Sequence, residues 1–300
     1  MPMKLASYNI QYGTGRDGIY DLARAVQAVK DADIIALQEV ERNWKRSDMV
    51  DQPAAIAALM PDHFWVYGAP FDVDASDRDP QGRAINRRRQ FGLMILSRWP
   101  ILSSRLHPLP KADCGDEYNL ATGALEAVID GPQGAFRLYD VHLGHLGAGE
   151  RLTQIAYLRR VLRAAPEEGG AWSGREDDSV HWETEGPPPP MPQPVVLMGD
   201  FNAIPGSAEH ATLSGTCNGC CEISLHDAWG VPGAASGAGI TWRADPKQGC
   251  DEDMRIDYCF LSEDLVGGLK RAWVDGAAAG SDHQPLWVEL EPAEVAREAA

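Results

Sequence analysis

Val195-Val196-Leu197-Met198-Gly199-Asp200-Phe201-Asn202 joins a short apolar run to a carboxylate, an aromatic ring and an amide. The run is partly β-branched and too short for a helix, so it reads as a sheet strand that ends where its polar residues begin. Two later stretches repeat the arrangement. Arg255-Ile256-Asp257-Tyr258 opens an apolar run reaching Leu261, and Ser281-Asp282-His283 precedes the run Leu286 to Leu290. Strand ends are where a rigid scaffold can converge side chains on one place. Aspartate, asparagine and histidine gathered there suit a hard divalent cation and the activation of a water, whereas a soft metal would ask for clustered thiolates.

The amino-terminal half supplies partners of the same kind. Leu5-Ala6-Ser7-Tyr8-Asn9 ends in an amide, Asp33-Ile34-Ile35-Ala36-Leu37-Gln38-Glu39 in a carboxylate, and Phe136-Arg137-Leu138-Tyr139-Asp140-Val141-His142 in an imidazole. Taken singly, each has a plain structural explanation: Asn9 as a turn cap, Glu39 as a solvated strand end, His142 as a satisfied, partly buried histidine. The repetition outweighs that explanation, because surface decoration does not place an Asn, Glu, His or Asp at a similar point of six apolar strand-like runs.

In Ser7-Tyr8-Asn9-Ile10, Leu37-Gln38-Glu39-Val40, Ile95-Leu96-Ser97-Arg98, Val141-His142-Leu143 followed by Arg151 and Gln154, Gly199-Asp200-Phe201-Asn202, Arg255-Ile256-Asp257-Tyr258 and Ser281-Asp282-His283, the chain resembles the endonuclease/exonuclease/phosphatase superfamily. That superfamily includes DNase I, apurinic endonucleases, neutral sphingomyelinases and inositol polyphosphate 5-phosphatases. The resemblance implies an α/β fold, a four-layer αββα sandwich of two mixed sheets with the active site at one rim. It also implies a metal-dependent phosphoesterase using Mg²⁺ or Mn²⁺. In that scheme Glu39, Asp282 and Asn9 serve the metal, and Asp200 and Asn202 orient and deprotonate the attacking water. His283, paired with Asp257, shares or supports the base role, and His142 donates to a phosphate oxygen. The tryptophan-led and cysteine-containing strings of the inositol phosphatases are absent, with Met198-Gly199-Asp200 and Met254-Arg255-Ile256-Asp257 in their places.

The length of 300 residues and an apolar content of 44% are enough for a large core, and sandwiches of this size commonly form one domain. The expectation is a single catalytic domain over 1–292 with a tail at 293–300. Leu22, Val26 and Val29 recur at helical spacing, as do Leu152, Ile155, Leu158 and Leu162; both stretches predict helices covering the sheets. Residues 166–194, rich in Glu, Gly and Pro, lack either period and predict a long surface loop inserted in the domain. A second apparent insertion, Phe71 to Gln90, carries Asp72, Asp74, Asp77 and Asp79 and then Arg83, Arg87, Arg88 and Arg89. The run Arg87 to Arg89 lies just before a strand that the resemblance sets beside the rim, and it is the expected grip for an anionic substrate.

The formal charge of −17 repels polyanions within about 8 to 10 Å of the surface, and sequence-independent nucleic-acid binding rests on broad Lys/Arg surfaces. A phosphodiester of small-molecule or lipid-headgroup type therefore leads, a DNA endonuclease or exonuclease of the same fold is the alternative, and a phosphomonoesterase comes behind. Trp44 and Trp242, near strand ends, would line such a pocket or stack a base. Cys217, Cys220 and Cys221 cluster, with Cys114, Cys250 and Cys259 elsewhere. Cys217-Asn218-Gly219-Cys220 has the spacing of half a zinc site and Cys217 or Cys221 has Cys250 as a disulfide option, but a reduced set is expected because Met1-Pro2-Met3-Lys4 runs into the first strand without a secretory segment. A cytoplasmic location is expected on the same ground. No apolar run of about 18 residues exists, so no membrane span is expected.

Overall fold

The computed structural model describes residues 2–113, 115–174, 188–214, 223–244 and 251–291. Strands follow in the order β1 (Met3–Asn9), β2 (Ile34–Arg42), β3 (Phe64–Asp74), β4 (Asp77–Arg78), β5 (Ala84–Ile85), β6 (Arg88–Ser97), β7 (Ile101–Pro108), β8 (Gly123–Gly131), β9 (Gly134–His142), β10 (Val195–Asp200), β11 (Leu225–Asp227), β12 (Asp257–Ser262), β13 (Leu269–Val274) and β14 (Leu286–Leu290). Helices α1 (Leu22–Gln27), α2 (Gln52–Leu59), α3 (Ala148–Glu168), α4 (Ala208–Ser214) and α5 (Glu263–Val266) lie between them.

Two six-stranded mixed sheets result, one ordered β13-β14-β1-β2-β6-β3 and the other β11-β12-β10-β9-β8-β7. Side chains on a strand alternate between faces, and the apolar residues divide accordingly. Leu5, Ile34, Ala36, Leu93 and Ile95 face Leu125, Leu138, Val196, Met198 and Leu261 in a layer between the sheets. On the outer side of the first sheet, Ala6, Tyr8, Ile35 and Leu37 pack with Ala25, Val26 and Ile56 of α1 and α2. On the outer side of the second, Tyr139, Val141, Leu197 and Phe260 pack with Ile155, Leu158 and Leu162 of α3 and Leu213 of α4. This is the four-layer sandwich that the sequence implied.

Strand parity decides what faces inward at the rim. In β10, Val196 and Met198 belong to the inner layer, so Asp200 follows them inward, while Phe201 is buried against Tyr258 and Phe260 with ring centroids 5.7 and 5.3 Å away. The chain turns here without a gap between strands. Gly199 has φ +145°, and a Cβ on it would stand 1.9 Å from the Val141 carbonyl oxygen, so no other residue lets β10 approach β9 this closely.

Two expectations needed correction. The predicted insertion at Phe71 to Gln90 is largely a β-ribbon: β3 and β6 stay paired out to Asp74 opposite Arg88, and β4 and β5 form a small hairpin at its tip. Its opposite charges are cross-strand neighbours. The long loop does not start at 166 either, because α3 continues to Glu168. Pro166 removes the amide that would bond the Leu162 carbonyl, and the buried guanidinium of Arg137 takes that carbonyl instead, from Nη1 at 2.9 Å. Residues 175–187 of the predicted loop, the tail at 293–300 and Cys114, Cys217, Cys220, Cys221 and Cys250 lie outside the described residues. Cys259 is buried with a free thiol. No helix among the described residues is long and apolar enough to cross a membrane.

Replacing Gly199 with Ala is expected to cost about 2 kcal/mol or more, by a clash of Cβ with backbone that cannot retreat; urea denaturation of the purified variant measures it, and an unchanged midpoint would refute the close-approach argument.

Candidate active site

The second sheet builds half of the site by register. Asp200 pairs with His142 across parallel strand β9 and with Asp257 across antiparallel β12, so three strands deliver an imidazole and two carboxylates side by side on the inner face. The first sheet supplies Asn9 from the end of β1 and Glu39 from β2. Parity alone would send Glu39 outward with Ile35 and Leu37. It is re-aimed by a β-bulge: Gln38 pairs with Leu93 and Val40 with Gly92, leaving Glu39 as the extra residue with φ +62°. The bulge restores Val40 to the outer layer and turns Glu39 to the rim.

The two halves meet directly. Asn9 Nδ2 donates to Glu39 Oε1 and to Asp200 Oδ2, each at 3.0 Å, and the Asn9 carbonyl accepts from Ser281 Oγ at 2.7 Å. Ser281 in turn receives the backbone N–H of His283 at 3.2 Å, which ties the Ser281-Asp282-His283 segment to β1. Gln11 Nε2 and Trp242 Nε1 donate to Asp282 Oδ2 at 3.1 and 3.3 Å. Asn202, at φ +48°, closes a tight turn with its N–H on Asp200 Oδ1 at 2.9 Å and its side-chain amide on the Leu143 carbonyl at 3.0 Å.

The imidazoles converge on one oxygen. His142 Nε2 lies 3.6 Å and His283 Nε2 3.7 Å from Asp200 Oδ2, while His283 Nδ1 donates to Asp257 Oδ2 at 2.9 Å. Asp257 is braced by Thr241, whose Oγ1 accepts the N–H groups of Ile256 and Asp257 at 3.1 and 3.0 Å. Burial opposes charge on His283, but the Asp257 and Asp200 carboxylates outweigh it and push the imidazole toward its protonated form. Burial also pushes the Glu39 carboxyl up, with the nearby Asp282 adding to it and His142 working against it.

Glu39, His142, Asp200, Asn202, Asp282 and His283 line one cleft of about 410 Å³, with Tyr12, Phe91, Trp242, His145 and Arg46. Asn9 and Asp257 stand directly behind them. Arg87, Arg88 and Arg89 do not reach the cleft lining: Arg88 Nε is bound to Asp72 Oδ1 at 2.7 Å and Arg89 Nε to the Asn43 carbonyl at 3.2 Å. Arg88 and Arg89 are held by these neighbours, and the cleft carries Arg46 in place of the three. Gln11 and Arg46 escaped the sequence reading; the only trace of Arg46 was a cation beside Trp44 a few residues past Glu39. A larger concavity, about 820 Å³, opens beside β13 among Trp229, Arg243, Lys270 and Arg271 and contains none of these groups.

The match to the model of the endonuclease/exonuclease/phosphatase family extends over residues 6–283. The chain belongs to that family. Its members hydrolyse phosphoester bonds. Among solved structures it is similar to the mannosyl-6-phosphatase of Bacteroides thetaiotaomicron, with 18% identity and a TM-score of 0.63 over 96% of this chain and 99% of that one. It is similar as well to truncated TDP2 of Caenorhabditis elegans, with 18% identity and a TM-score of 0.57 over 97% of each chain. The human Nocturnin catalytic domain with bound sulfate matches at 15% identity and a TM-score of 0.59, over 97% of this chain and 95% of that one. At these identities the likenesses speak for the fold. No curated protein matches the chain in sequence.

The arginine of the Arg255-Ile256-Asp257-Tyr258 string stands outside the cleft and braces it. Arg255 Nη1 donates to Asp227 Oδ2 at 2.8 Å, and His210 Nε2 lies 3.1 Å from the same oxygen. Burial alone would raise the Asp227 carboxyl; His210 and Arg255 overcome it and hold the group below its ordinary 3.8. A depressed carboxyl adds stability above the unfolded value and loses it as pH falls through the folded one. The stability lost in Asp227→Asn, followed by urea melts, is therefore expected to be larger near neutrality than at about pH 3; equal losses at both would refute the ion-pair account.

Proposed function

We propose that this protein is a divalent-metal-dependent phosphoesterase that hydrolyses a phosphodiester of small-molecule or lipid-headgroup type by in-line attack of water. The observation that carries the reading is the convergence of His142, Asp200 and Asp257 in register on one sheet with Asn9 and Glu39 on the other. Hydrolysis of a phosphoester needs a proton acceptor, donors for the phosphoryl oxygens and a means to offset negative charge in the transition state. The rim offers all three.

The donor set fits a hard cation. Glu39, Asp200, Asp257 and Asp282 bring four carboxylates to a site whose only Lys or Arg lining residue, among the described residues, is Arg46. The tightest grouping of candidate ligands among the described residues, Asp200, Asp257 and His283, has its atoms within 4.8 Å of one another. Two of those three are already bonded to each other through His283 Nδ1. Glu39 and Asp282, with Asn9 in support, are therefore assigned to hold Mg²⁺ or Mn²⁺, which favours few protein ligands of oxygen type. When bound, the ion polarises the phosphoryl group and offsets its developing charge.

The remaining steps belong to the chain's own residues. Asp200, fixed through both carboxylate oxygens by Asn202 and Asn9, takes the proton of the attacking water. Asn202 keeps that water in line. His142 and His283 donate to phosphoryl oxygens as charge builds, and Asp257 keeps the His283 ring turned toward the cleft. The cleft volume of about 410 Å³ suits a small ester or a headgroup. A duplex would need a broad cationic surface, which neither the −17 charge nor the one arginine that lines the cleft among the described residues provides.

Activity on bis(p-nitrophenyl) phosphate should vanish in excess chelator and return with Mg²⁺ or Mn²⁺; full turnover in chelator would sink the metal assignment. His283→Ala and Asp257→Ala should each lower kcat by about 10²-fold, and the double variant by little more than either, because the pair acts as a unit. Steady-state kinetics showing the product of the two single losses would break the pairing.

A further inference from the structure

Arg46, the one arginine of the cleft lining among the described residues, is held on three sides. Arg46 Cζ sits 3.9 Å from the centroid of the Tyr12 ring and 4.6 Å from that of Trp44. Its Nε donates to Glu41 Oε1 at 2.9 Å, and Nη2 donates to the same oxygen. Glu41 itself is fixed: its side chain is 0% exposed, and its other oxygen accepts from Ser47 Oγ at 2.9 Å. Tyr12 is set beneath the guanidinium by a local turn in which Gln11 and Tyr12 have φ of +43° and +46°. An exposed arginine on a mobile stem loses side-chain entropy when it grips a ligand. Here that ordering is already done, and Nη1 has no hydrogen-bond partner among the described residues.

Among the described residues the hydrogen bonds and ion pair of Arg46 go to Glu41 and to none of the groups assigned to the scissile phosphoryl. Asn9, His142, Asp200, Asn202 and His283 are linked among themselves, whereas the partners of Arg46 are Glu41 near the end of β2, Trp44 just past it and Tyr12 just past β1. The free guanidinium edge therefore lies in the same cleft but serves a different part of the ligand. We propose that Arg46 is the receptor for a second anionic group of the substrate, so that the compound turned over is a phosphoester bearing a further phosphate or carboxylate. The proposal rests on the phosphoesterase reading and narrows its substrate class. A planar guanidinium matches either anion through paired N–H donors, and the aromatic faces of Tyr12 and Trp44 hold it in one plane by cation–π contact.

Two measurements test it. The first needs no turnover: calorimetric titration of metal-free protein with inorganic pyrophosphate. Loss of one charge-assisted contact is expected to weaken binding by about 10- to 100-fold in Arg46→Ala. Arg46→Lys, which keeps the charge but lacks the fork, should fall between the two. Because Arg46→Ala leaves Glu41 buried without its partner, Arg46→Ala/Glu41→Gln is measured beside it and should show the same loss. Pyrophosphate binding of equal strength in wild type and both alanine variants would overturn the proposal.

The second measurement compares thymidine 5′-(p-nitrophenyl phosphate) with its 3′-phosphorylated form, which differ by one anionic group. Wild type should show a KM lower by about 10-fold or more for the doubly anionic ester, and Arg46→Ala should erase that advantage with kcat changed little. An equal loss on both esters would place Arg46 on the scissile phosphate and refute the assignment. Should neither ester be hydrolysed while pyrophosphate still binds through Arg46, the phosphoesterase reading fails and the anion receptor stands.

Discussion

Two side-chain hydrogen bonds that cross from one sheet to the other hold the rest of the rim in place. Asn9 Nδ2 reaches Asp200 Oδ2 at 3.0 Å, and one layer deeper Gln38 Nε2 reaches Asp140 Oδ1 at 2.6 Å. Apolar packing between sheets is non-directional and tolerates sliding, whereas a buried polar pair costs free energy unless its geometry is kept. The bonds therefore set how β1 and β2 stand against β9 and β10. Burial holds the Asp140 carboxyl far above the usual carboxylate range, and the neutral acid costs much less to bury than its anion.

Around that bridge the backbone departs from regular strand geometry where function needs it. Glu39 and Asn202 both have positive φ, a conformation that costs energy in a residue with a side chain. The bulge at Glu39 turns a carboxylate to the rim without disturbing the packing of Leu37 and Val40 on either side of it. The turn at Asn202 lets consecutive residues part ways, Asp200 into the cleft and Phe201 into the outer core. Each distortion is held by neighbours that are fully committed: β6 behind the bulge, Leu143 behind the turn.

The charge distribution has a matching logic. The chain carries −17 overall, and its cleft concentrates acids, which suits a cation and repels extended polyanions. Against this background a guanidinium set against Tyr12 and Trp44 gains selectivity, because it is the one arginine or lysine the cleft lining presents among the described residues. Cations elsewhere are consumed locally: Arg88 by Asp72, Arg255 by Asp227, and Arg105 by Glu126 at 3.0 Å.

The sequence alone carried the strands and the inner set of polar groups, since these are written in short-range pattern, an apolar run and then an amide, acid or imidazole where the run stops; the sandwich came from the resemblance that those motifs carry. Asn9, Glu39, His142, Asp200, Asn202, Asp257, Asp282 and His283 could be named because a strand end is a local event. What only the tertiary structure decided were the pairings between distant segments. Arg87 to Arg89 looked free in the linear text, but strand register sets Arg88 across from Asp74 and within reach of Asp72. The continuation of α3 past Pro166 depended on Arg137, a residue from another layer, to satisfy an orphaned carbonyl. Arg46 became a cleft residue only through Tyr12, Trp44 and Glu41, whose meeting point is set by the turn after β1 and the bulge in β2. Periodicity and composition report what a residue's own segment does with it; which foreign group lies opposite is fixed by register and sheet-to-sheet packing, and those exist only once the chain has folded.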